Sequence, residues 1–332
     1  MLFRSHEKPS EEEINVKTNI VKNFYEDTVN EISLSRNINK KTLKILFDKG
    51  EITAKEAYDF KLVDKLLFSE DSKNYIKENF SNNIDFYNSY EAAATKISSW
   101  KKKYNFAVIP LYGSIVAGRV TPKIISLFND QQTGSEDFID SLNEAIKNPT
   151  IEGILLHINS PGGTFDGSHE IYRAIKNASS IKPIVVSMSD VAASGAYQAA
   201  LGSQYIFANR NTLTGSVGVY SLSFEASKLA NLLGINNKEV SMIKNSRHNL
   251  LTSMSKEEKI NRQQIVDWHY DIFVSLMADN MNINKNTAFN LAQGRVWLGY
   301  EALNNGMIHK IGGFNDAVNK IRSEEHTSEL QS

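Results

Sequence analysis

Ser194 stands in the stretch SDVAASGAY, where an apolar run gives way to small residues that favour a helix. Ala192, Ala193 and Gly195 flank it, and side chains this small leave its hydroxyl accessible to a substrate. A serine at the start of a helix is more often an N-cap than a nucleophile. The stretch alone therefore leaves two interpretations open, a helix cap or the nucleophile of a covalent catalyst.

A second stretch, NSPGG at residues 159–163, directly follows the apolar run ILLHI. A proline followed by Gly162 and Gly163 ends the strand and allows a sharp turn with exposed backbone amides. Such a turn is often simply a tight loop, but it can also present N–H donors to an oxyanion. The Gly195 amide, next to Ser194, would be a second donor of the same kind.

A third stretch, LTGSVGVY at residues 213–220, is another glycine-rich turn before an apolar segment. Ser216 lies in this turn. It is either a turn residue only or a residue that orients a catalytic base, and the stretch alone does not decide between them.

The elements that must position these turns are short apolar runs rich in β-branched residues, at 106–113, 151–160, 182–189 and 203–209. Helix-patterned stretches at 166–178 and 194–201 lie between them. This alternation predicts βα units around a buried, largely parallel sheet. A long helix is expected over residues 255–281, with Ser255 as N-cap and Glu258 completing a capping box.

An internal repeat connects the two ends of the chain. Residues 37–66 match residues 282–311 at a constant offset of 245. The identical pairs are Ile38/Ile283, Asn39/Asn284, Lys40/Lys285, Thr42/Thr287, Leu46/Leu291, Glu56/Glu301, Ala57/Ala302 and Lys65/Lys310. Two unrelated helical segments would rarely share so many identities without a gap, which indicates a duplication.

Together and in this order, the three stretches closely resemble the signal peptide peptidase A (protease IV) family of bacterial membrane-associated serine proteases. The resemblance runs from about residue 10 to 321 and includes GGFNDAV at 312–318. It implies an α/β fold of the Clp-protease/crotonase type, with stacked ββα units and parallel sheets. It also implies a serine endopeptidase that degrades remnant signal peptides and other apolar, membrane-derived peptides without a metal or cofactor.

The resemblance assigns a role to each stretch. Ser194 would be the nucleophile, and Gly162 or Gly163, with Gly195, would donate to the oxyanion. Ser216 matches the serine that positions the general base. That base is a lysine in this family, and its amine must be desolvated to be neutral near neutral pH.

The sequence offers no lysine in the expected context. In single-repeat members the lysine follows the TGS strand, where this sequence has Asn249, an amide that cannot act as a base. Lys244 lies nearby but out of register. In two-repeat members the first repeat supplies the lysine just ahead of a segment like PSEEE (9–13); the nearest candidate, Lys8, lacks that context. Subtracting 245 from 249 gives Arg4, so the base is expected at or before the start of this sequence.

A histidine base fits poorly, because no histidine occurs between Ser194 and Arg247. His157 and His169 flank NSPGG, one in a strand and one on a helix face, and both are interpreted as structural.

The expected organisation follows from the repeat and from the two ends. RSEEHTSELQS and LFRS match translations of a common sequencing-library adapter. We therefore interpret the segments as adapter-derived (1–5 and 322–332), the C-terminal remnant of repeat one (6–66), a linker (67–103) and a complete repeat two with the nucleophile (104–321). Roughly 140 further residues of repeat one and an anchor helix are expected upstream.

Composition bounds the partners. The chain has 332 residues and no cysteine, and the absence of cysteine excludes disulfides and thiolate metal sites. Its net charge of −1 shows no basic surface of the kind that binds nucleic acid. No apolar window spans a bilayer. The resemblance implies a homo-oligomer at the bacterial inner membrane, with the catalytic part outside the cytoplasm. Alternatives are a crotonase-like acyl-CoA enzyme and a non-catalytic scaffold with the same fold.

Overall fold

In the computed structural model, the described residues are 11–48, 52–67, 75–80, 105–120, 131–222, 224–235, 250–251 and 253–329. They fall into two compact units, one before and one after residue 104 in the described part of the chain. Each unit is described by itself.

The described residues of the first unit form helices. Its helices are α1 (Glu11–Arg36), α2 (Lys40–Asp48) and α3 (Ala54–Asp59). Asn37 ends α1 in the left-handed region, with φ of 53°. The chain then turns back so that Leu43 and Leu46 of α2 are buried.

The second unit combines strands and helices. Its strands are β1 (Phe106–Val116), β2 (Gln132–Gly134), β3 (Gly153–Gly163), β4 (Ile184–Ala193), β5 (Tyr205–Ala208), β6 (Leu213–Gly215), β7 (Val296–Leu298) and β8 (Lys310–Ile311). Its helices are α4 (Ser135–Lys147), α5 (Phe165–Ala178), α6 (Gly195–Ala200), α7 (Ser227–Leu232), α8 (Lys256–Met281), α9 (Lys285–Leu291), α10 (Gly299–Asn304) and α11 (Phe314–Glu329).

The strands form one sheet in the order β2-β1-β3-β4-β5-β8, and every neighbouring pair in this order is parallel. The short strand β6 pairs parallel with the end of β4 and antiparallel with β7. Parallel strands joined by helices require both faces of a sheet to be covered, so the strands read as apolar runs. The predicted α/β fold with a largely parallel sheet is confirmed.

Apolar side chains are buried on both faces of the sheet. The larger cluster includes Ile154, Leu156 and Ile158 of β3 together with Phe273 and Met277 of α8. The smaller cluster packs the alternate positions of the central strands against α11; its members are Leu155, Val185, Phe207, Ala317, Val318 and Ile321. Apolar side chains that alternate along β3 and β4 are thus buried on both faces of the sheet. This packing fixes the strands that lead to NSPGG and to Ser194.

Some predictions about organisation stay predictions. The segment 1–5 lies outside the described residues, and residues 322–329 continue helix α11. Three further assignments stay predictions: the remnant of repeat one at 6–66, the linker at 67–103 and repeat two at 104–321. No helix in the described ranges is long and apolar enough to cross a membrane.

Candidate active site

Ser194 occupies a strained turn between β4 and α6. Its φ of 52° and ψ of −124° are unfavourable for a residue with a Cβ, at a cost of about 1–3 kcal/mol. Ser194 is the N-cap residue of α6, yet its side chain accepts no hydrogen bond from the helix. The hydroxyl is partly exposed. Of the two interpretations left open by the sequence, a simple helix cap is therefore not what the geometry shows.

Neighbouring residues hold this turn on all sides. The Ser194 amide donates to the Gly215 carbonyl oxygen at 2.8 Å. Gly195 has no room for a side chain, because an added Cβ would lie 2.0 Å from the Ser168 Oγ of α5. Tyr197 is fully buried and donates its hydroxyl to the Met307 carbonyl at 2.8 Å; burial raises the pKa of this phenol. Helix α6 is thus fixed against both α5 and the chain that follows α10.

The predicted oxyanion turn lies against the nucleophile. At Gly162, where φ is 97°, an added Cβ would lie 2.5 Å from the Gly195 nitrogen and 2.9 Å from the Ser194 Cβ. The Gly163 nitrogen lies 3.2 Å from the position that a Gly195 Cβ would take. In this structure the Gly162 amide donates to Ser160 Oγ at 3.1 Å. The three glycines are therefore brought together around Ser194.

Ser216 is placed beside the same turn by the pairing of β4 with β6. Ala193 pairs with Gly215, so Ser194 and Ser216 follow directly after paired residues. Ser216 has a φ of 50°, and its amide donates to the Arg295 carbonyl at 2.8 Å. This position is compatible with orienting a group that approaches Ser194.

The described residues place no base at the nucleophile. Among the residues that the structure describes, no lysine or histidine hydrogen-bonds to the Ser194 hydroxyl. The single-repeat position Asn249, together with Lys244 and Lys8, lies outside the described residues. The general base therefore stays a matter of proposal.

The two histidines near NSPGG make contacts of their own. His157 Nδ1 lies 3.2 Å from the Ser187 carbonyl oxygen. His169 Nδ1 lies 3.2 Å from Gln198 Nε2, and its ring stacks on Phe165. Burial, followed by the charge of Arg173, lowers the pKa of His169. These contacts agree with a structural role for both rings.

Lys182 resembles a catalytic lysine in one respect only. Desolvation lowers the pKa of its amine. However, Nζ donates to the carbonyls of Ala145, in the last turn of α4, and of Asn148, which directly follows that helix. Lys182 precedes the first residue of β4, whereas Ser194 follows the last, so about 30 Å of strand separate them. Lys182 therefore cannot reach the serine.

Sequence reasoning missed the side chains that support the end of β4. Thr212 and Thr214 are almost fully buried, and each donates its hydroxyl to a carbonyl of β4, at Ser189 and Ala192. Thr212 and Thr214 are two residues apart in TLTGS, and this spacing predicts that their side chains lie on the same face of an extended segment. Which carbonyls they meet depends on the packing of β6, which the spacing does not give.

Comparison with known proteins shows which family and which relatives this chain is similar to. Residues 176–328 match the model of peptidase family S49. The chain is similar to Protease 4 of Salmonella typhi, with 31% identity over 276 residues, covering 82% of this chain and 43% of that protein. It is also similar to the putative signal peptide peptidase SppA of Enterococcus faecium, with 31% identity over 204 residues, covering 60% and 59%.

Among solved structures, a point mutant of ClpP1 from Listeria monocytogenes shares 15% identity with a TM-score of 0.40, covering 64% of this chain and 94% of that chain. The chain spans less than half the length of the two Protease 4 relatives from Salmonella typhi and Haemophilus influenzae.

Proposed function

We propose that this chain carries the nucleophile of a serine endopeptidase, and that the nucleophile is Ser194; the match of residues 176–328 to the model of peptidase family S49 supports this. The observation that carries the proposal is the strained turn at Ser194, whose hydroxyl caps no helix amide. A residue with a Cβ keeps such a backbone only where its surroundings enforce it, and such outliers concentrate at active sites.

The residues around Ser194 suit acyl transfer. Ser194 Oγ attacks the peptide carbonyl, and the oxygen that becomes negative is stabilised by backbone amides at Gly195 and at Gly162 or Gly163. The close approach of Gly163 to Gly195 supports this assignment. The Gly162 amide already donates to Ser160 Oγ, so an oxyanion at this position would compete with that oxygen for the Gly162 N–H or share it.

We assign the general base to a lysine of repeat one, at or before the start of this sequence, with Ser216 positioning its amine. The amine takes the proton of Ser194, protonates the leaving amine, and then activates the water that hydrolyses the acyl-enzyme. Two observations support a base from elsewhere: Asn249 stands at the single-repeat position, and Lys182 is at the wrong end of β4.

The proposed substrates are apolar peptides, such as remnant signal peptides. The similarity to the putative signal peptide peptidase SppA of Enterococcus faecium supports this class. So do the large apolar side chains of Tyr220, Leu222 and Phe224, which follow the Ser216 turn and are 68–81% exposed. We further propose a homo-oligomer held at the bacterial inner membrane by an anchor upstream, with the catalytic part outside the cytoplasm.

A fluorophosphonate probe tests the nucleophile in the protein extended upstream through repeat one. We expect Ser194→Ala to abolish labelling, and Ser216→Ala to slow it by about a hundredfold through loss of base positioning. Ser203→Ala is the matched control, since Ser203 follows α6 and its hydroxyl donates to the Ala200 and Tyr205 carbonyls. Labelling that persists in Ser194→Ala at the rate of the parent would refute the proposal.

The alternatives from the sequence are not favoured. A crotonase-like acyl-CoA enzyme would not need a serine at position 194, and a scaffold would not need strain there. The family match and the named relatives are peptidases.

A further inference from the structure

Strand β4 contains an irregularity just before the nucleophile. Ile158 of β3 pairs with Met188 of β4, but the next recorded pair joins Ser160 to Ala192. The register therefore advances by two residues in β3 but by four residues in β4, so β4 contains two extra residues at this point. Such a bulge removes backbone groups from the regular ladder, and each of them needs another partner when it is buried.

Side chains of β3, of β6 and of the residue before β6 supply these partners. Asn159 of β3 accepts a hydrogen bond from the Val191 amide at 3.2 Å. Thr212, which directly precedes β6, donates its hydroxyl to the Ser189 carbonyl. Thr214 donates to the Ala192 carbonyl at 2.7 Å. The bulge is thus held by specific polar contacts, not by strand pairing alone.

Thr214 and the residue after it act on consecutive peptide groups. The Ala192 carbonyl, bound by Thr214 Oγ1, belongs to the peptide that joins Ala192 to Ala193. The next peptide ends at the Ser194 amide, which donates to the Gly215 carbonyl at 2.8 Å. Thr214 and Gly215 therefore fix both peptide planes that lead into Ser194, whose own φ is positive.

We propose that Thr214 is a positioning residue for the nucleophile: its hydroxyl holds the end of β4 so that Ser194 keeps its strained, outward-facing geometry. Because Thr214 acts through Ser194, its role rests on the proposed function. The Thr214 side chain is fully buried and makes one other polar contact, 3.6 Å from the Met188 sulfur. A valine has the same shape but would leave the Ala192 carbonyl without this partner.

The chain provides a clean way to test this role, because it contains no cysteine. Ser194→Cys places a single thiol at the nucleophile position, and the pH dependence of its alkylation by iodoacetamide reports its pKa and exposure. This measurement does not need the general base. In the Ser194→Cys chain, the nearby amides are expected to lower the thiol pKa below that of a free cysteine.

Three further substitutions in the Ser194→Cys chain isolate the hydroxyl of Thr214. Thr214→Val is expected to raise the thiol pKa and to slow alkylation at pH 7 by about tenfold, the rate equivalent of a pKa unit. Thr214→Ser retains the hydroxyl and should stay within about twofold of the parent. Thr133→Val is the matched control, since Thr133 also donates to a strand carbonyl at 2.8 Å, but at the opposite edge of the sheet.

The outcomes separate the two proposals. If Thr214→Val lowers thermal stability but leaves the alkylation profile of the folded chain unchanged, Thr214 is structural only and the positioning role is refuted. The same holds if Thr214→Ser reacts as slowly as Thr214→Val. If the parent Ser194→Cys chain shows an unshifted thiol pKa, the anion-stabilising site itself is absent, and the proposed function fails first.

Discussion

Two segments of this molecule have nearly the same local structure but very different surroundings. Helices α1 and α8 both have 26 residues, and their bounds differ by the 245-residue offset of the sequence repeat. Asn37 and Asn282 end them in the left-handed region, with φ of 53° and 52°. The short helices α3 and α10 correspond at the same offset, which supports the interpretation of a duplication.

The difference lies in what the segments pack against. In the second, β7 and β8 pair with β6 and β5, and Leu298 is fully buried. In the first, no strand is present in the described residues 52–67, and Leu66 and Leu67 remain 45% and 41% exposed. Caps and left-handed turns are set locally by sequence, whereas strands form only where another strand offers its edge.

The largest expected difference in stability between the two segments is at Ala54 and Gly299, which are equivalent at the 245-residue offset. Gly299→Ala should destabilise the second unit by about 3 kcal/mol, because the added Cβ would lie 2.1 Å from the Asn209 carbonyl oxygen. Ala54→Gly should cost the first unit no more than about 1 kcal/mol, since it only lowers helix propensity. Native-state hydrogen exchange measures the opening free energy of each unit separately.

A result with similar costs at both positions would mean that the packing of α10 on the chain at Asn209 contributes little. The control is Gly234→Ala, where no atom lies within 4 Å of the added Cβ but φ is positive. That substitution should show backbone strain without a clash, and only locally.

The sequence predicted the local elements well because their signals are local. The helix expected over 255–281 is found as Lys256–Met281, with the Ser255–Glu258 capping box in place. The apolar run 182–189 was recognised, but β4 extends to Ala193 through the bulge. Its extension depends on hydroxyls of Thr212 and Thr214, which are distant in sequence. The backbone strain at Ser194 depends on the same neighbours, so it could not be predicted from the sequence. The sequence did indicate Ser194 as a candidate nucleophile.

The N-caps of α2 and α9 sharpen the comparison, because here the two segments should respond alike. Asn39 accepts from the Lys41 amide and Asn284 from the Asn286 amide, both at 2.8 Å and both exposed. Asn39→Ala and Asn284→Ala should each cost about 1 kcal/mol in the opening free energy of the capped helix. The corresponding Asp substitutions should retain most of that stability. A cost at only one site would show that burial, and not the cap, determines the stability of these turns.

The smallest expected effect is a pH dependence that distinguishes equivalent positions 64 and 309. His309 Nδ1 accepts from the Ile206 amide at 3.1 Å, and burial followed by the charge of Lys320 lowers its pKa. The unfolded chain therefore binds a proton more readily, so stability of the second unit falls as pH drops through about 6.5 and stops falling below the lowered folded-state pKa. The effect is small because much of the ring remains exposed.

At the equivalent position of the first unit, a hydrogen bond from Arg36 at 2.6 Å, followed by its charge, lowers the pKa of Asp64. That contribution is present above the unfolded pKa near 4 and is lost only as pH falls through the acid range. Hydrogen exchange between pH 7 and 5 should thus show opening free energies that fall in the second unit and hold in the first. His309→Gln should flatten the second profile in part, since the lowered pKa of His169 acts in the same direction. If His309→Gln leaves the pH profile of the second unit unchanged, the pH dependence arises from His169 and not from His309. Positions 64 and 309 would then not account for the difference in pH dependence between the two segments.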